Sequence, residues 1–358
     1  MTRPVTIIAE AGVNHNGRMD LALALIDAAA DAGADLVKFQ TFSADRLAQA
    51  SAPLAAYQDA QIGRGISQHA MLKALELPYD WHAPLMAQAA ARGIGFISTA
   101  FDEGSLAFLA GLDLPLFKVP SGEVTNGPLL WRFARTGKPL VLSTGMATLS
   151  EVEAALAVVA HALTRADEPG SSMDVWRAYA EPVARDALAE RVTLLHCTSQ
   201  YPTPMAEVNL RGMATLAAAF GLPVGYSDHT KGIHVPTAAV ALGAVVIEKH
   251  LTTDASLPGP DHAASLEPKE FGAMVAAIRG VSAAMGAGGK GPQPSEWNTR
   301  AATRQRLVAA RAIAQGATLT RADLATARSA TGDPAMDLWD WIGRPAPRAF
   351  ATGEGLTP

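Results

Sequence analysis

The sequence predicts a (β/α)8 barrel, an α/β fold, followed by a small C-terminal domain. Three observations lead there. Eight short apolar runs recur along residues 1–285, most of them separated by helical patterns. Polar and ionisable residues follow every run. A glycine-rich stretch, residues 286–292, then closes the series. Strands alternating with helices imply parallel pairing through crossovers. In a barrel the strand ends all open on one active face. A doubly wound open sheet is the alternative, but it gathers its polar residues at a switch point rather than after every strand.

In chain order, Thr6-Ile7-Ile8-Ala9 leads to Glu10, and Asp35-Leu36-Val37 leads to Lys38-Phe39-Gln40. Ile94-Gly95-Phe96-Ile97 leads to Ser98-Thr99, and Leu116-Phe117 leads to Lys118 and then Ser121-Gly122-Glu123. Leu140-Val141-Leu142 leads to Ser143-Thr144-Gly145, and Val192-Thr193-Leu194-Leu195 leads to His196-Cys197-Thr198. The last two strands end in Gly225-Tyr226-Ser227-Asp228-His229-Thr230 and Glu248-Lys249-His250. Helical patterns cover Leu21 to Ala32, Ser150 to Leu163 and Val235 to Leu242. Two insertions exceed a minimal barrel. Residues 44–81, with Tyr57-Gln58 and Met71-Leu72-Lys73-Ala74-Leu75, form a long connection on the catalytic face, where lids and substrate loops reside. Residues 165–191 read as one extra helix on the opposite face.

The predicted domains are a barrel at 1–285, a linker at 286–298 and a compact mixed domain at 299–358. In the last, Arg306 to Arg311 reads as a strand and Leu319 to Leu324 as a short helical turn. So small a domain buries little core alone and needs a larger surface to pack on. The net charge of −5 is mild and no basic stripe is present, which argues against nucleic acid. No apolar run is long enough for a bilayer. The chain enters a strand almost at once, with no signal peptide. Its one cysteine, Cys197, fits a reducing cytoplasm and reads as a small packing residue.

Two histidines at successive strand ends, His229 and His250, can converge on one metal ion, because imidazole suits divalent transition metals. Each alone reads more simply as a hydrogen-bonded core histidine; the matched placement favours ligands. Lys38 and Lys118 close strands that face the mouth. Buried lysines are rare unless paired, so the two point to an anionic ligand, with Ser98, Thr99, Ser121, Ser143 and Thr144 as donors. The bland alternative is a salt bridge to Glu10 or Glu123. Glu10, Glu123, Asp228 and Asp261 supply carboxylates able to bind hydroxyls or move protons. Asn14, His15, Asn16 and Gly17 read mainly as a turn.

These residues carry a resemblance. Ile8-Ala9-Glu10-Ala11-Gly12-Val13-Asn14-His15-Asn16-Gly17, Lys118-Val119-Pro120-Ser121-Gly122-Glu123, His196-Cys197-Thr198-Ser199-Gln200-Tyr201-Pro202, Gly225-Tyr226-Ser227-Asp228-His229-Thr230 and Pro258-Gly259-Pro260-Asp261-His262 together resemble the sialic acid synthase family. That family includes the synthases of N-acetylneuraminic, legionaminic and pseudaminic acids. The tail resembles the family's antifreeze-like, or SAF, domain. The resemblance implies condensation of phosphoenolpyruvate with an N-acetylated amino-sugar aldehyde, releasing phosphate. The acceptor is either N-acetylmannosamine or 2,4-diacetamido-2,4,6-trideoxymannose.

The resemblance also implies a divalent metal, Mn2+ or Mg2+, on His229 and His250. It implies Lys38, Thr99, Lys118, Ser121, Ser143, Ser227 and Tyr201 around phosphoenolpyruvate, and Glu10, Gln40, Glu123 and Asp261 at the sugar. The chemistry itself makes Glu10 the candidate carboxylate to handle a proton near the water or the sugar hydroxyl. The family forms a domain-swapped homodimer in which an arginine, here Arg328, reaches the partner's sugar site. Two departures stand out. Ser199 replaces an Asn of N-acetylneuraminate synthases, and Arg328-Ser329-Ala330 replaces an Arg-Pro-Gly loop. Other enzyme classes remain: a different phosphoenolpyruvate-dependent keto-deoxy sugar acid synthase, or a metal-dependent aldolase with a Schiff-base Lys118 or Lys249. A non-catalytic sugar binder would not need these lysines and histidines together.

Overall fold

The computed structural model describes residues 4–49, 51–53 and 67–358; Tyr57 and Gln58 lie outside them. The chain divides into two compact units, Met1–Gly286 and Ala287–Pro358.

In the first unit eight parallel strands form one sheet. They are β1 (Thr6–Gly12), β2 (Leu36–Thr41), β3 (Gly95–Ala100), β4 (Phe117–Val119), β5 (Leu140–Ser143), β6 (Val192–Cys197), β7 (Val224–Asp228) and β8 (Val246–His250). The hydrogen-bonded order β3-β2-β1-β8-β7-β6-β5-β4 is cyclic in sequence, and β3 and β4 stand side by side without ladder pairing. This is the predicted barrel. Helices Met19–Asp31, Leu149–Thr164 and His234–Ala241 fall on the predicted patterns.

Strand alternation explains the interior. Successive side chains point to opposite faces, so residues two apart share one. Ile8, Ile97, Val141, Leu195 and Val246 form an apolar plug inside the ring, with Leu36 and Leu116 packed against it. Gly225 completes that layer, because a Cβ there would lie 2.6 Å from Leu195 and 2.4 Å from the Val246 carbonyl. Two residues further along the same faces come Glu10, Thr99, Ser143, Cys197, Glu248, Lys38, Lys118 and Ser227. The barrel is thus dry at its floor and ionisable one layer above.

Residues with the other parity point outward, and this corrects several expectations. The Thr144 hydroxyl donates to the Leu195 carbonyl at 2.9 Å, and the Ser98 hydroxyl pairs with Thr41 at 2.7 Å. Neither is free for a ligand. Asp228 and Lys249 are register partners on β7 and β8, fully buried, with Nζ 2.6 Å from Oδ2. Asp228 also accepts from the Thr230 amide at 3.0 Å. It is therefore a structural clamp rather than a sugar-binding carboxylate. Removing one partner of such a pair strands a buried charge and costs roughly 3–5 kcal/mol. Lys249→Met is expected to lower the urea midpoint accordingly, and adding Asp228→Asn should recover most of the loss. A single variant as stable as the parent would refute the clamp.

The 165–191 insertion holds two helices, Ser172–Tyr179 and Pro182–Arg191, instead of one. Proline at the first helical position starts the second, where its missing N–H costs nothing. They precede β6 and so lie at the N-terminal ends of the strands, away from the mouth. The 44–81 insertion contributes helices Ala44–Leu47 and Gln68–Ala74 on the mouth side.

In the second unit, β9 (Gln305–Ala309) pairs antiparallel with β10 (Leu324–Arg328) over a core of Leu307, Leu319, Leu324, Trp341, Phe350 and Leu356. The expected helical turn is present at Arg321–Asp323, but β10 follows it directly.

Candidate active site

A cavity of about 370 Å³ opens above the ionisable layer. Twelve predicted site residues line it: Glu10, Lys38, Gln40, Thr99, Lys118, Ser121, Ser143, Tyr201, Ser227, His229, His250 and Asp261. Glu123 does not line it; half-buried just beyond Gly122, its carboxylate accepts from Asn126 Nδ2 at 2.7 Å. Arg328 is exposed at the end of β10 in the second unit.

Register assembles the charges. Glu10 on β1 pairs across the ladder with Lys38 on β2 and with His250 on β8. Lys38 Nζ stands 2.6 Å from Glu10 Oε2 and 3.3 Å from Thr99 Oγ1. Gln40 donates to the other Glu10 oxygen at 2.8 Å. Glu248 lies between both lysines, 3.3 Å from Lys118 and 3.8 Å from Lys38, and accepts from the Ser227 hydroxyl at 3.1 Å. The salt-bridge partner foreseen from sequence was Glu10 or Glu123. The structure confirms Glu10 for Lys38 but gives Lys118 to Glu248. Sequence reasoning missed Glu248 as a site residue. The signal was present: it precedes His250 by two, on the same strand face.

The carboxyls differ in their protonation. Burial pushes Glu10 above the usual carboxylate range, against the pull of Lys38. Burial acts on Glu248 too, but Lys118 and Lys38 together hold it below that range. Burial would lower Lys38, yet Glu10 and Glu248 more than offset this and hold its ammonium charged. Burial and then the neighbouring Glu10 lift Asp261 to about 7. One carboxylate thus stays ionised between two lysines, while Asp261 is poised to exchange a proton near neutrality and Glu10 holds its proton more tightly than an ordinary carboxyl.

The histidines are neutral. Burial lowers His229 to about 4 and takes His250 well below its ordinary value, where His229 adds to the effect. Their ring centroids are 5.5 Å apart, with the Tyr201 ring 4.1 Å from His229 and 5.5 Å from His250. His229 Nδ1 lies 2.7 Å from the Thr198 carbonyl, which fixes it as the donor and leaves Nε2 with a lone pair. His250 Nδ1 is buried without a hydrogen-bond partner, 3.7 Å from Asp261. Such orphaned atoms call for a ligand. The set fits a cation held by two neutral imidazoles, with its other positions left to substrate and water. Among the described residues no three His, Cys, Asp or Glu side chains form a closed metal cage. Ser143 Oγ and Glu248 Oε2 are likewise buried and unpartnered at the cavity wall.

Two loop residues shape the mouth. A Cβ on Gly145 would fall 2.3 Å from Ser199 Oγ and 2.8 Å from Ser121 Oγ, so only glycine fits there. Its neighbour Met146 lines the cavity, 73% exposed, at a φ of 65° that non-glycine residues rarely adopt. Ser199 lines the cavity, whereas the exposed Gln200 does not. Cys197 is buried 3.2 Å from Ser121, and burial pushes its thiol up, in keeping with a packing role.

A model of the NeuB family matches residues 25–290, and one of the SAF domain matches residues 304–358. The chain belongs to the NeuB family. It is 44% identical to the N,N'-diacetyllegionaminic acid synthase of Legionella pneumophila, over 94% of this chain and 89% of that one. It is also 44% identical to the N,N'-diacetyllegionaminic acid synthase of Campylobacter jejuni, over 97% of each chain. Among solved structures, the N-acetylneuraminic acid synthetase of Leptospira borgpetersenii in complex with citrate superposes with a TM-score of 0.67. That pair is 33% identical and covers 83% of this chain and 90% of the other. As a NeuB-family chain it carries the barrel and the SAF domain that its motifs foretold. Among the described residues, no helix is long and apolar enough to cross a membrane.

Proposed function

We propose that this chain condenses phosphoenolpyruvate with the open-chain aldehyde of an N-acetylated amino sugar, releasing phosphate. The observation that carries the reading is the layer of Lys38 and Lys118 converging on Glu248 beside two neutral imidazoles. The lysines and the hydroxyls of Thr99, Ser121 and Ser143 meet the phosphate and carboxylate of phosphoenolpyruvate, joined by Ser227 once its proton turns from Glu248 to the anion. His229 and His250 would hold the divalent cation, Mn2+ or Mg2+, which supplies Lewis-acid polarisation of the sugar aldehyde. The enol carbon attacks the aldehyde carbon, and the alkoxide this leaves takes a proton that the incoming water replaces. Water adds to the former enol carbon, whose bond to oxygen then breaks as phosphate departs with the bridging oxygen. Glu10, its carboxyl raised by burial, is the group to relay the proton of that water.

Of the two acceptors, the diacetamido sugar is favoured. Identity is 44% to the two diacetyllegionaminic acid synthases and 33% to the N-acetylneuraminic acid synthetase. The proposal includes a cytoplasmic, domain-swapped homodimer, with 286–298 as the linker and Arg328 of each SAF domain serving the partner's sugar site. A Schiff-base aldolase is disfavoured, because Lys249 is sealed against Asp228 and Lys118 faces Glu248.

Phosphate release will be measured with phosphoenolpyruvate and Mn2+ against N-acetylmannosamine and 2,4-diacetamido-2,4,6-trideoxymannose. The expected result is acceptor-dependent release with a higher kcat/KM for the diacetamido sugar. Release with neither, or a lysine adduct trapped by borohydride, would overturn the reading.

A further inference from the structure

The cavity has a second wall that the condensation chemistry does not use. Gln68, Met71, Leu72 and Leu75 all line it, from the helix Gln68–Ala74 and the residue that ends it. Their spacing of three, four and seven places them on one helical face. Met71 and Leu75 are buried with Val13 and Phe42, and Leu72 and Phe101 pack against that cluster. Val13 and Phe101 line the cavity as well. The face therefore offers one primary amide within an otherwise apolar surface, and it stands on an insertion rather than on the strand ends.

We propose that this face is the subsite for the acylamino and deoxy end of the acceptor sugar, and that it selects a 2,4-diacetamido-2,4,6-trideoxy sugar over N-acetylmannosamine. The inference rests on the condensation reading above. An acetamido group carries an amide and a methyl, which match Gln68 and its apolar neighbours in kind. A 6-methyl group suits the same wall. N-acetylmannosamine would instead bring hydroxyls at carbons 4 and 6. A hydroxyl pressed against Met71 and Leu72 gives up its water partners and finds none in exchange. A site whose polar group is left unpaired by the wrong sugar discriminates further against it.

The test compares kcat/KM for the two sugars in the parent, Leu72→Asn and Gln68→Leu, with the KM for phosphoenolpyruvate measured in parallel. Leu72→Asn places a polar partner on the wall and should shrink the preference for the diacetamido sugar about tenfold, through the acceptor KM. Gln68→Leu should raise the KM for the diacetamido sugar more than that for N-acetylmannosamine. In both variants the KM for phosphoenolpyruvate should hold, which also reports a folded site. An unchanged ratio in both variants, or a parent that prefers N-acetylmannosamine, would overturn the subsite while leaving the condensation reading intact. No phosphate release from either sugar in the parent would overturn both.

Discussion

His229→Ala and His250→Ala will each leave a folded protein that has lost turnover by roughly a thousandfold, the equivalent of about 4 kcal/mol in the barrier. The argument begins with protonation. Both rings are buried and neutral, so they can offer lone pairs at neutral pH. His229 Nδ1 is committed to the Thr198 carbonyl, which orients Nε2. His250 Nδ1 has no hydrogen-bond partner in a buried place, which is costly unless a ligand satisfies it. A purely structural role predicts that His229→Asn, which retains a donor toward Thr198, would keep activity. A ligand role predicts that it loses turnover with the alanine variants. Titration calorimetry with Mn2+ separates the two without any assay of turnover: the parent should bind and each variant should bind weakly or not at all. Full activity of the double alanine variant in excess chelator would sink the idea.

The barrel was legible because parallel strands buried on both faces read as apolar runs, and each run here ended in polar residues. Which polar residues enter the cavity was less legible, for a reason of parity. A shift of one residue along a strand moves a side chain from inside the ring to its outer surface. Ser143 and Thr144 are both polar, yet only the first faces the cavity. Asp228, between Ser227 and His229, turns outward to Lys249. Glu248 was overlooked because it stands beside the more conspicuous Lys249 and His250, although its parity matches His250. Glu10 stands two places after the plug residue Ile8 and Glu248 two after Val246, and that parity is what separates the cavity residues from their outward neighbours. The wall of Gln68, Met71, Leu72 and Leu75 is different in kind. Its helical spacing can be read, but nothing local says that this face turns to the cavity, since tertiary packing decides that. The second helix of the 165–191 insertion was missed although Pro182 marks its start.

Lys38→Met will damage stability and substrate binding together, and the two losses can be separated. The substitution keeps length and removes charge. Lys38 is fully buried with Glu10 at 2.6 Å and Glu248 at 3.8 Å. Removing it leaves Glu10 with no cation in contact, because Lys118 lies against Glu248 instead. Breaking a buried pair in this way costs roughly 3–5 kcal/mol. It should show as a lower urea midpoint with an unchanged slope. Adding Glu10→Gln removes the stranded charge, retains an acceptor for Gln40, and should return most of that stability. Binding should not return. On the proposed function the ammonium also meets the anion of phosphoenolpyruvate in a charge-assisted contact worth roughly 1.5–3 kcal/mol, so its KM should stay at least about tenfold higher in both variants. Lys118→Met should weaken phosphoenolpyruvate in the same way. A Lys38→Met protein whose KM rises for the acceptor sugar alone would show that the lysine layer serves the sugar and not the phosphate.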